Sequence, residues 1–174
     1  MDAISRLMSR EGYSGISMVA VAEEAGVSRR LVYDHFPDLP ALYEEFFLDR
    51  ITTYLAVIDT SLGMSQGDIT ASFSAAFAEL LEMPLDVQRT LQILASDFGL
   101  PELNALRGRF RLYVEDRWLT IVPEENRKIA QARLWMVIGG LLGLVEIVSR
   151  GDVTKQQAMR LGVELVNSMK TSSL

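Results

Sequence analysis

Apolar residues recur every three or four positions along almost the whole chain, which is the spacing of one face of an α-helix. The pattern predicts a first amphipathic helix before Gly12 and two short helices at 18–25 and 28–36. Longer helices are predicted at 41–62, 69–82, 84–96, 102–121, 124–150 and 154–169. No segment alternates in the manner of a strand, and no internal repeat occurs. We predict an all-α fold, with a three-helix domain at 1–40 and a roughly six-helix domain at 41–174.

The first two helices after Gly12 have the spacing of a helix-turn-helix. Met18, Val21, Ala22 and Ala25 give the earlier helix one apolar face, and Glu23 and Glu24 are expected to face water. Gly26 follows where the helix must end in a sharp turn, a position that favours positive φ. The pattern therefore predicts two short helices packed across a tight turn.

The second helix of this pair is predicted to begin with a capping serine. The Ser28 hydroxyl can accept a hydrogen bond from the first turn, and Val32 and Phe36 form an apolar pair that packs against the preceding helix. Two cations, an aromatic hydroxyl and an imidazole remain on the outer face, which is a plausible surface for a DNA groove. The candidate DNA contacts are Ser17, Ser28, Arg29, Arg30, Leu31, Tyr33 and His35.

The segment from Ile4 to Phe47 resembles the DNA-binding domain of the TetR family of bacterial transcriptional regulators. The resemblance rests on Gly12-Tyr13, Ala25-Gly26-Val27-Ser28, Tyr33 with His35-Phe36, and Ala41-Leu42 at the start of a long helix. It implies a repressor that binds a palindromic operator in double-stranded DNA as a homodimer and is released by a small-molecule effector. It also implies that the last two long helices form a four-helix dimer interface, and that the helices before them enclose a ligand pocket.

Several candidate DNA contacts have a structural alternative. Arg30 can pair with Asp34 one turn later, whereas Arg29 has no acid at that spacing and is the better candidate for a phosphate or a guanine edge. Tyr33 resembles the phosphate-contacting tyrosine of the family, with a core role as the alternative. His35 is the single histidine, and a structural hydrogen bond competes with a DNA contact.

Charge argues against strong DNA binding. The net charge is −6 and the isoelectric point is about 4.9, whereas attraction to phosphate supplies most non-specific affinity. Residues 1–45 contain four arginines and eight acidic residues. Leu39, followed by Pro40, stands where the family usually has a lysine. The family also commonly has a basic arm before its first helix, and such an arm ahead of Met1 would shift the balance toward DNA.

The larger domain contains candidates for a pocket and for a dimer interface. An apolar or aromatic effector is expected from the pocket candidates, among which Tyr113 and Arg117 are the polar groups, and a plain core role is the alternative for most of them. The pocket candidates are Phe73, Phe77, Leu94, Phe98, Phe110, Tyr113, Arg117 and Trp118. The interface candidates, for which an intramolecular core is the alternative, are Trp135, Ile138, Leu142, Val145, Met159, Val163 and Val166.

The apolar stretch at 134–145 is shorter than the roughly 20 residues that span a bilayer, so we expect no membrane partner. Gly139, Gly140 and Gly143 within it would let another helix approach closely. No cysteine is present and Met1 leads directly into an amphipathic pattern, so we expect a cytoplasmic protein without a disulfide framework.

The residue types do not favour catalysis or a cofactor. With a single histidine and no cysteine, no nucleophile and base are suitably spaced, and no metal-ligand pattern or phosphate loop is seen. We predict no enzyme activity, no cofactor and no metal. A regulator is the first hypothesis, a ligand- or partner-binding protein that has lost useful DNA affinity is the second, and an all-α enzyme is the third.

Overall fold

A computed structural model describes residues 1–64, 68–96, 103–120 and 126–171. These residues form nine α-helices and a 3-10 turn and contain no strand, so the all-α prediction is confirmed. The helices are Asp2–Glu11 (α1), Met18–Ala25 (α2), Arg29–His35 (α3), Leu39–Met64 (α4), Ile69–Glu82 (α5), Leu85–Ala95 (α6), Asn104–Trp118 (α7), Arg127–Ser149 (α8) and Lys155–Thr171 (α9). The 3-10 turn Tyr13–Gly15 joins α1 to α2.

Local hydrogen bonds form the turn between α2 and α3. The Ser17 hydroxyl accepts a hydrogen bond from the Ala20 N–H at 3.1 Å, and the Ser28 hydroxyl accepts one from the Leu31 N–H at 3.2 Å. Gly26 has φ +67° and ψ +30°, the left-handed conformation that ends a helix most readily at glycine. The Ser28 cap and the turn glycine therefore agree with the sequence prediction, and Ser17 caps the preceding helix.

Buried apolar side chains hold this unit together. Met18, Val21 and Ala22 on α2 and Val32 on α3 are buried, and Phe36 packs against the same core from a half-buried position. Ala25, the last residue of α2, is exposed, so the apolar face of this helix is shorter than its sequence pattern indicates.

Helix α4 packs against both the three-helix unit and the helices that follow it. Its first turns bury Leu42, Tyr43, Phe46 and Phe47 almost completely, and the Tyr43 hydroxyl donates a hydrogen bond to the Ile16 carbonyl at 3.1 Å. The buried residues of the three-helix unit and of the following helices form one continuous apolar cluster. The domain boundary predicted between residues 40 and 41 therefore falls in the first turn of a continuous helix.

Helix α8 is longer than the apolar stretch at 134–145. It has 23 residues, and an 18-residue window within it has a mean hydropathy of 1.6. Only 22% of the residues in that window are buried within the chain. Length and composition alone would allow this helix to cross a membrane, which corrects the argument from the shorter stretch. In the fold, α8 packs against α6, α7, α5 and α9 on one side and keeps an apolar face exposed.

Candidate DNA-binding surface and ligand cavity

Helix α3 presents a polar outer face. Val32 turns inward, while the side chains of Arg29 and Arg30 are 64% and 91% exposed and Tyr33 is 52% exposed. The core role considered for Tyr33 is therefore excluded. The remaining predicted contacts, Ser17, Ser28, Leu31 and His35, are exposed as well. The predicted contacts thus share one accessible surface around the turn.

Both arginines of α3 have acidic partners. The Arg30 Nε lies 3.9 Å from an Asp34 carboxylate oxygen, as the i, i+4 spacing predicted. The Arg29 guanidinium lies 3.5 Å from a Glu23 carboxylate oxygen on α2. Because Glu23 precedes Arg29 and reaches it across the turn, the i, i+4 spacing could not indicate this pair. Exposed pairs of this kind contribute only about 0.2 to 1 kcal/mol, so each arginine remains available to a phosphate.

The single histidine makes a structural hydrogen bond. His35 Nδ1 lies 2.9 Å from the Leu31 carbonyl oxygen one turn earlier, a bond in which the ring nitrogen must donate. This bond holds the exposed ring against its own helix. The second ring nitrogen is left for another partner, so the two roles considered for His35 are compatible.

A cluster of charges joins α1 to α2 beside this surface. Arg6 Nε lies 2.6 Å from a Glu24 carboxylate oxygen, and an Arg10 guanidinium nitrogen lies 3.0 Å from the other oxygen. Hydrogen bonds from Arg6 and then from Arg10 lower the pKa of the Glu24 carboxyl. Glu24 thus connects two helices, which corrects the expectation that it simply faces water. All four arginines of residues 1–45 therefore have an acidic partner.

A cavity of about 50 Å³ lies among α4, α5, α6, α7 and α8. Four of the predicted pocket residues line it: Phe73, Phe77, Phe110 and Trp118. Leu94 is buried but is not part of the lining, and Phe98 lies outside the described residues. The described residues that line it are Tyr54, Ile58, Phe73, Ala76, Phe77, Leu80, Leu91, Phe110, Val114, Trp118, Ile138, Leu141 and Leu142.

Tyr113 and Arg117, predicted as polar groups of the pocket, lie outside its lining. The Tyr113 hydroxyl donates a hydrogen bond to one Asp59 oxygen at 2.7 Å, and Arg117 Nε donates to the other at 2.8 Å. The hydrogen bond from Tyr113, followed by that from Arg117, lowers the pKa of the Asp59 carboxyl. Burial, followed by the bond to Asp59, raises the pKa of Tyr113. These three residues join α4 to α7. Each of them is adjacent in sequence to a lining residue, namely Ile58, Val114 or Trp118.

Most predicted interface residues lie on the inner face of α8 and α9. Val145 and Val166 are buried within the chain and so offer no surface to a partner, while Ile138 and Leu142 line the cavity. The remaining three, Trp135, Met159 and Val163, are half-buried. The Trp135 indole N–H donates to a Glu115 oxygen at 2.8 Å, and the Arg111 guanidinium lies 4.7 Å from the ring centre.

The exposed side of α8 is instead a stripe of small and flexible residues. Met136 is 63% exposed, and a side chain placed on Gly139 or Gly143 would meet no atom within 4 Å. Gly140 differs because it lies against Leu165 of α9 and serves packing within the chain. Leu161 of α9 is 44% exposed and continues the apolar surface. We call Met136, Gly139, Gly143 and Leu161 the outer stripe.

Polar side chains that the sequence did not predict connect the three-helix unit to helix α6 of the cavity wall. The Ser5 hydroxyl on α1 donates to an Asp86 carboxylate oxygen of α6 at 2.7 Å. Arg50 of α4 donates to Ser5 at 2.6 Å, and its Nε lies 3.0 Å from the same Asp86 oxygen. Arg89 of α6 donates to the carbonyl of Ser9 at 2.8 Å and also to that of Met8. Because these partners are up to 81 residues apart, no sequence spacing could identify them.

Comparisons with known proteins agree with this arrangement. The sequence model of the bacterial regulatory proteins of the tetR family matches residues 1–46. The HTH-type transcriptional regulator AlkX of Mycobacterium tuberculosis is 24% identical over 144 residues, which are 76% of this chain and 68% of that protein.

Solved structures have the same overall architecture. A protein of Pseudomonas aeruginosa PAO1 described as a transcriptional regulator has a TM-score of 0.72 and 18% identity, over 98% of this chain and 88% of that chain. A TetR family transcription regulator from Marinobacter aquaeolei VT8 has a TM-score of 0.62 and 17% identity, over 95% and 90% of the two chains. At these identities, the likeness shows a common fold.

Proposed function

The chain belongs through its N-terminal domain to the TetR family of bacterial regulatory proteins, and from this we propose that it is a dimeric transcriptional repressor that a small-molecule effector releases from DNA. Members of this family are transcriptional regulators and not enzymes, and the chain is a DNA-binding regulator of this kind. We place its action in the cytoplasm, where bacterial DNA lies.

The observation that carries the proposal is the outer face of α3. Arg29, Arg30 and Tyr33 are all exposed on a helix whose position is fixed by Val32 and by the Ser28 cap. A guanidinium suits a guanine edge or a phosphate, and a phenol hydroxyl suits a phosphate oxygen. Because α3 has only seven residues, one copy would read few base pairs. Two copies would read two half-sites about one helical turn apart.

The outer stripe supports dimer formation. Only 22% of the residues in the apolar window of α8 are buried, and Met136, Gly139 and Gly143 are exposed. Exposed apolar surface on a helix often marks an interface. Gly139 and Gly143 would let the α8 helix of a second copy approach closely. We propose that α8 and α9 of two copies form a four-helix interface along this stripe.

The proposed release depends on α6. Leu91 of this helix lines the cavity, and Asp86 and Arg89 of the same helix hydrogen-bond to α1. A ligand that displaced α6 would therefore displace the three-helix unit on which α3 is mounted. The spacing of the two α3 helices would then no longer match the half-sites, and DNA would be released.

The test is DNA binding at stepped salt concentrations, with fragments selected from a genomic pool by the purified full-length protein. Arg29→Ala should weaken specific binding about tenfold or more and lower the salt slope by about one. Glu23→Gln should strengthen binding by up to about fivefold, because it removes the acid that competes for Arg29. Arg160→Ala, on an exposed part of α9, is the matched control and should change neither quantity. Specific binding that is indifferent to Arg29→Ala would overturn the proposed readout.

One observation favours a second candidate function, a ligand- or partner-binding protein with weak DNA affinity. Every arginine of residues 1–45 is paired with an acid, and the net charge of the chain is −6. Selection from the same pool distinguishes the two functions. If the full-length protein enriches no fragment at low salt, while ligands still bind in the cavity, the second function replaces the first.

A further inference from the structure

Among the residues that the structure describes, no charged side chain lines the cavity. Aromatic rings and aliphatic groups form nearly all of its wall, and the side-chain polar groups are the Tyr54 hydroxyl and the Trp118 indole N–H. Asp59 and Arg117, which adjoin Ile58 and Trp118 of the lining in sequence, bond to each other outside the lining. An ion that entered this cavity would lose its hydration without gaining a counter-charge, which strongly opposes binding.

Tyr54 supplies a hydroxyl group to the cavity lining. The side chain is half-buried in the cavity wall, and no hydrogen bond of its hydroxyl occurs among the described residues. Burial raises the pKa of this phenol, so the group is neutral at physiological pH and can both donate and accept. Tyr43, the fully buried tyrosine of α4, does have a partner, the Ile16 carbonyl. Tyr54 lines the cavity, whereas Tyr43 does not.

We propose that the effector of this protein is an uncharged, largely apolar molecule with one hydrogen-bonding group, which pairs with the Tyr54 hydroxyl. The inference rests on the proposed function, because it assumes that the cavity is the effector site. The rings of Phe73, Phe110 and Trp118 supply flat apolar surfaces for such a molecule. Tyr54 then fixes its orientation, as a few polar groups do in most ligand pockets.

The cavity must widen to admit such a molecule. Its volume is about 50 Å³, whereas a cavity that holds benzene measures about 150 Å³. Helix α7 supplies Phe110, Val114 and Trp118 to the wall and is held to α4 by the bonds from Tyr113 and Arg117 to Asp59. We expect α7 to move outward when the ligand enters.

Three probes of nearly equal shape test the ligand class by calorimetric titration of the full-length protein. Acetophenone has one hydrogen-bond acceptor, ethylbenzene has none, and benzoate is charged. The wild-type protein should bind acetophenone more tightly than ethylbenzene and should not bind benzoate at pH 7. Tyr54→Phe should weaken acetophenone binding about fivefold to tenfold and leave ethylbenzene binding unchanged, since only the hydroxyl is lost.

Tyr43→Phe is the control, because its hydroxyl already has a protein partner away from the cavity. Circular dichroism establishes that each variant is folded. Benzoate binding comparable to that of acetophenone, equal effects of Tyr54→Phe on acetophenone and ethylbenzene, or no binding of acetophenone at its solubility limit would each overturn the proposal. Ala76→Phe should abolish binding of both neutral probes by filling the cavity, and retained binding would place them elsewhere and overturn it as well.

The titration needs no DNA, so its outcome is separate from that of the proposed function. If the probes bind as expected but saturating acetophenone does not change the affinity for a selected DNA fragment, effector release fails while the ligand preference of the cavity stands. If DNA binding responds to a ligand but Tyr54→Phe does not affect acetophenone, the ligand class fails alone.

Discussion

Asp59, Tyr113 and Arg117 form a polar contact at the surface, next to residues that line the apolar cavity. The Asp59 carboxylate accepts hydrogen bonds from both partners, and the Arg117 guanidinium lies 4.7 Å from the centre of the Tyr113 ring. Each residue alone is exposed or half-buried, so its contribution to stability is small. Their importance lies in their position, because they join the two helices between which a ligand would enter.

The pKa shifts predict how this contact depends on pH. The lowered pKa of Asp59 gives stabilisation that is present above the unfolded value of about 3.9 and is lost as pH falls through the folded value. The raised pKa of Tyr113 gives stabilisation that is lost only as pH rises above about 10. The difference in unfolding free energy between wild type and Asp59→Asn should therefore be constant from about pH 5 to pH 9 and shrink below about pH 4.

Urea unfolding of the two proteins at stepped pH measures this difference. Asp116→Asn is the control, since its carboxylate contacts Arg117 at 3.1 Å without contacting Tyr113. A difference that stayed constant down to pH 3 would contradict the assignment of the lowered pKa to Asp59.

At the scale of helices, α8 has an inner face that lines the cavity and an outer stripe that packs against none of the described residues. Gly140 and Gly143 are only three residues apart, yet one is packed against Leu165 and the other is open. A substitution at Gly143 should therefore leave the monomer intact and act on association alone. Few positions in a helical bundle separate these two effects so cleanly.

We expect Gly143→Arg to weaken self-association at least about 100-fold, which corresponds to about 2.7 kcal/mol. A charge placed at the centre of the proposed interface would lose its hydration without a partner. Sedimentation equilibrium measures the change, and Leu112→Arg is the control because Leu112 is an exposed apolar residue of α7, away from the outer stripe. If both variants dissociate to the same extent, or neither does, the outer stripe is not the interface.

The sequence could predict features that depend on neighbouring residues, but not features that depend on how the helices pack. The caps at Ser17 and Ser28 and the turn at Gly26 depend on neighbouring residues, so the helices of the three-helix unit follow from local pattern. The run at 134–145 is apolar on every side, and such a run does not indicate which face turns inward. The interface residues chosen there fell mostly on the inner face. Pairs such as Glu23 with Arg29 exist only once α2 and α3 are packed.

On the scale of the whole molecule, polar contacts connect the proposed DNA-binding helices to the proposed ligand site. They are made by Ser5, Arg50, Asp86 and Arg89. Asp86 is buried on α6 and bonds to α1 and α4, while Leu91 of α6 lies in the cavity wall one and a half turns later. A buried carboxylate with defined partners gives α1 and α6 one preferred arrangement. We therefore expect a movement of α6 to be transmitted to α1.

Asp86→Asn should reduce the free energy of unfolding by about 1 to 3 kcal/mol, because it weakens a charge-assisted hydrogen bond and a half-buried ion pair. It should also reduce the effect of saturating acetophenone on DNA affinity, while leaving DNA affinity without ligand within about threefold of the wild-type value. Urea unfolding and fluorescence anisotropy of a labelled DNA fragment measure the two quantities. Glu82→Gln, which removes an exposed pair with Lys155, is the control. Full ligand response in Asp86→Asn would show that coupling takes another route.

The continuity of α4 limits how regulators of this kind can be recombined. A chimera that exchanged only residues 1–40 would place new helices α1 to α3 on the old Leu42, Tyr43, Phe46 and Phe47, which are nearly inaccessible and shaped to the original partners. A junction placed after Ile51 would carry this supporting surface along with the helices that it fits. It would still break the hydrogen bond between Ser5 and Asp86. The transferred DNA-binding helices would then fold but lack this contact with the helix that lines the proposed ligand site.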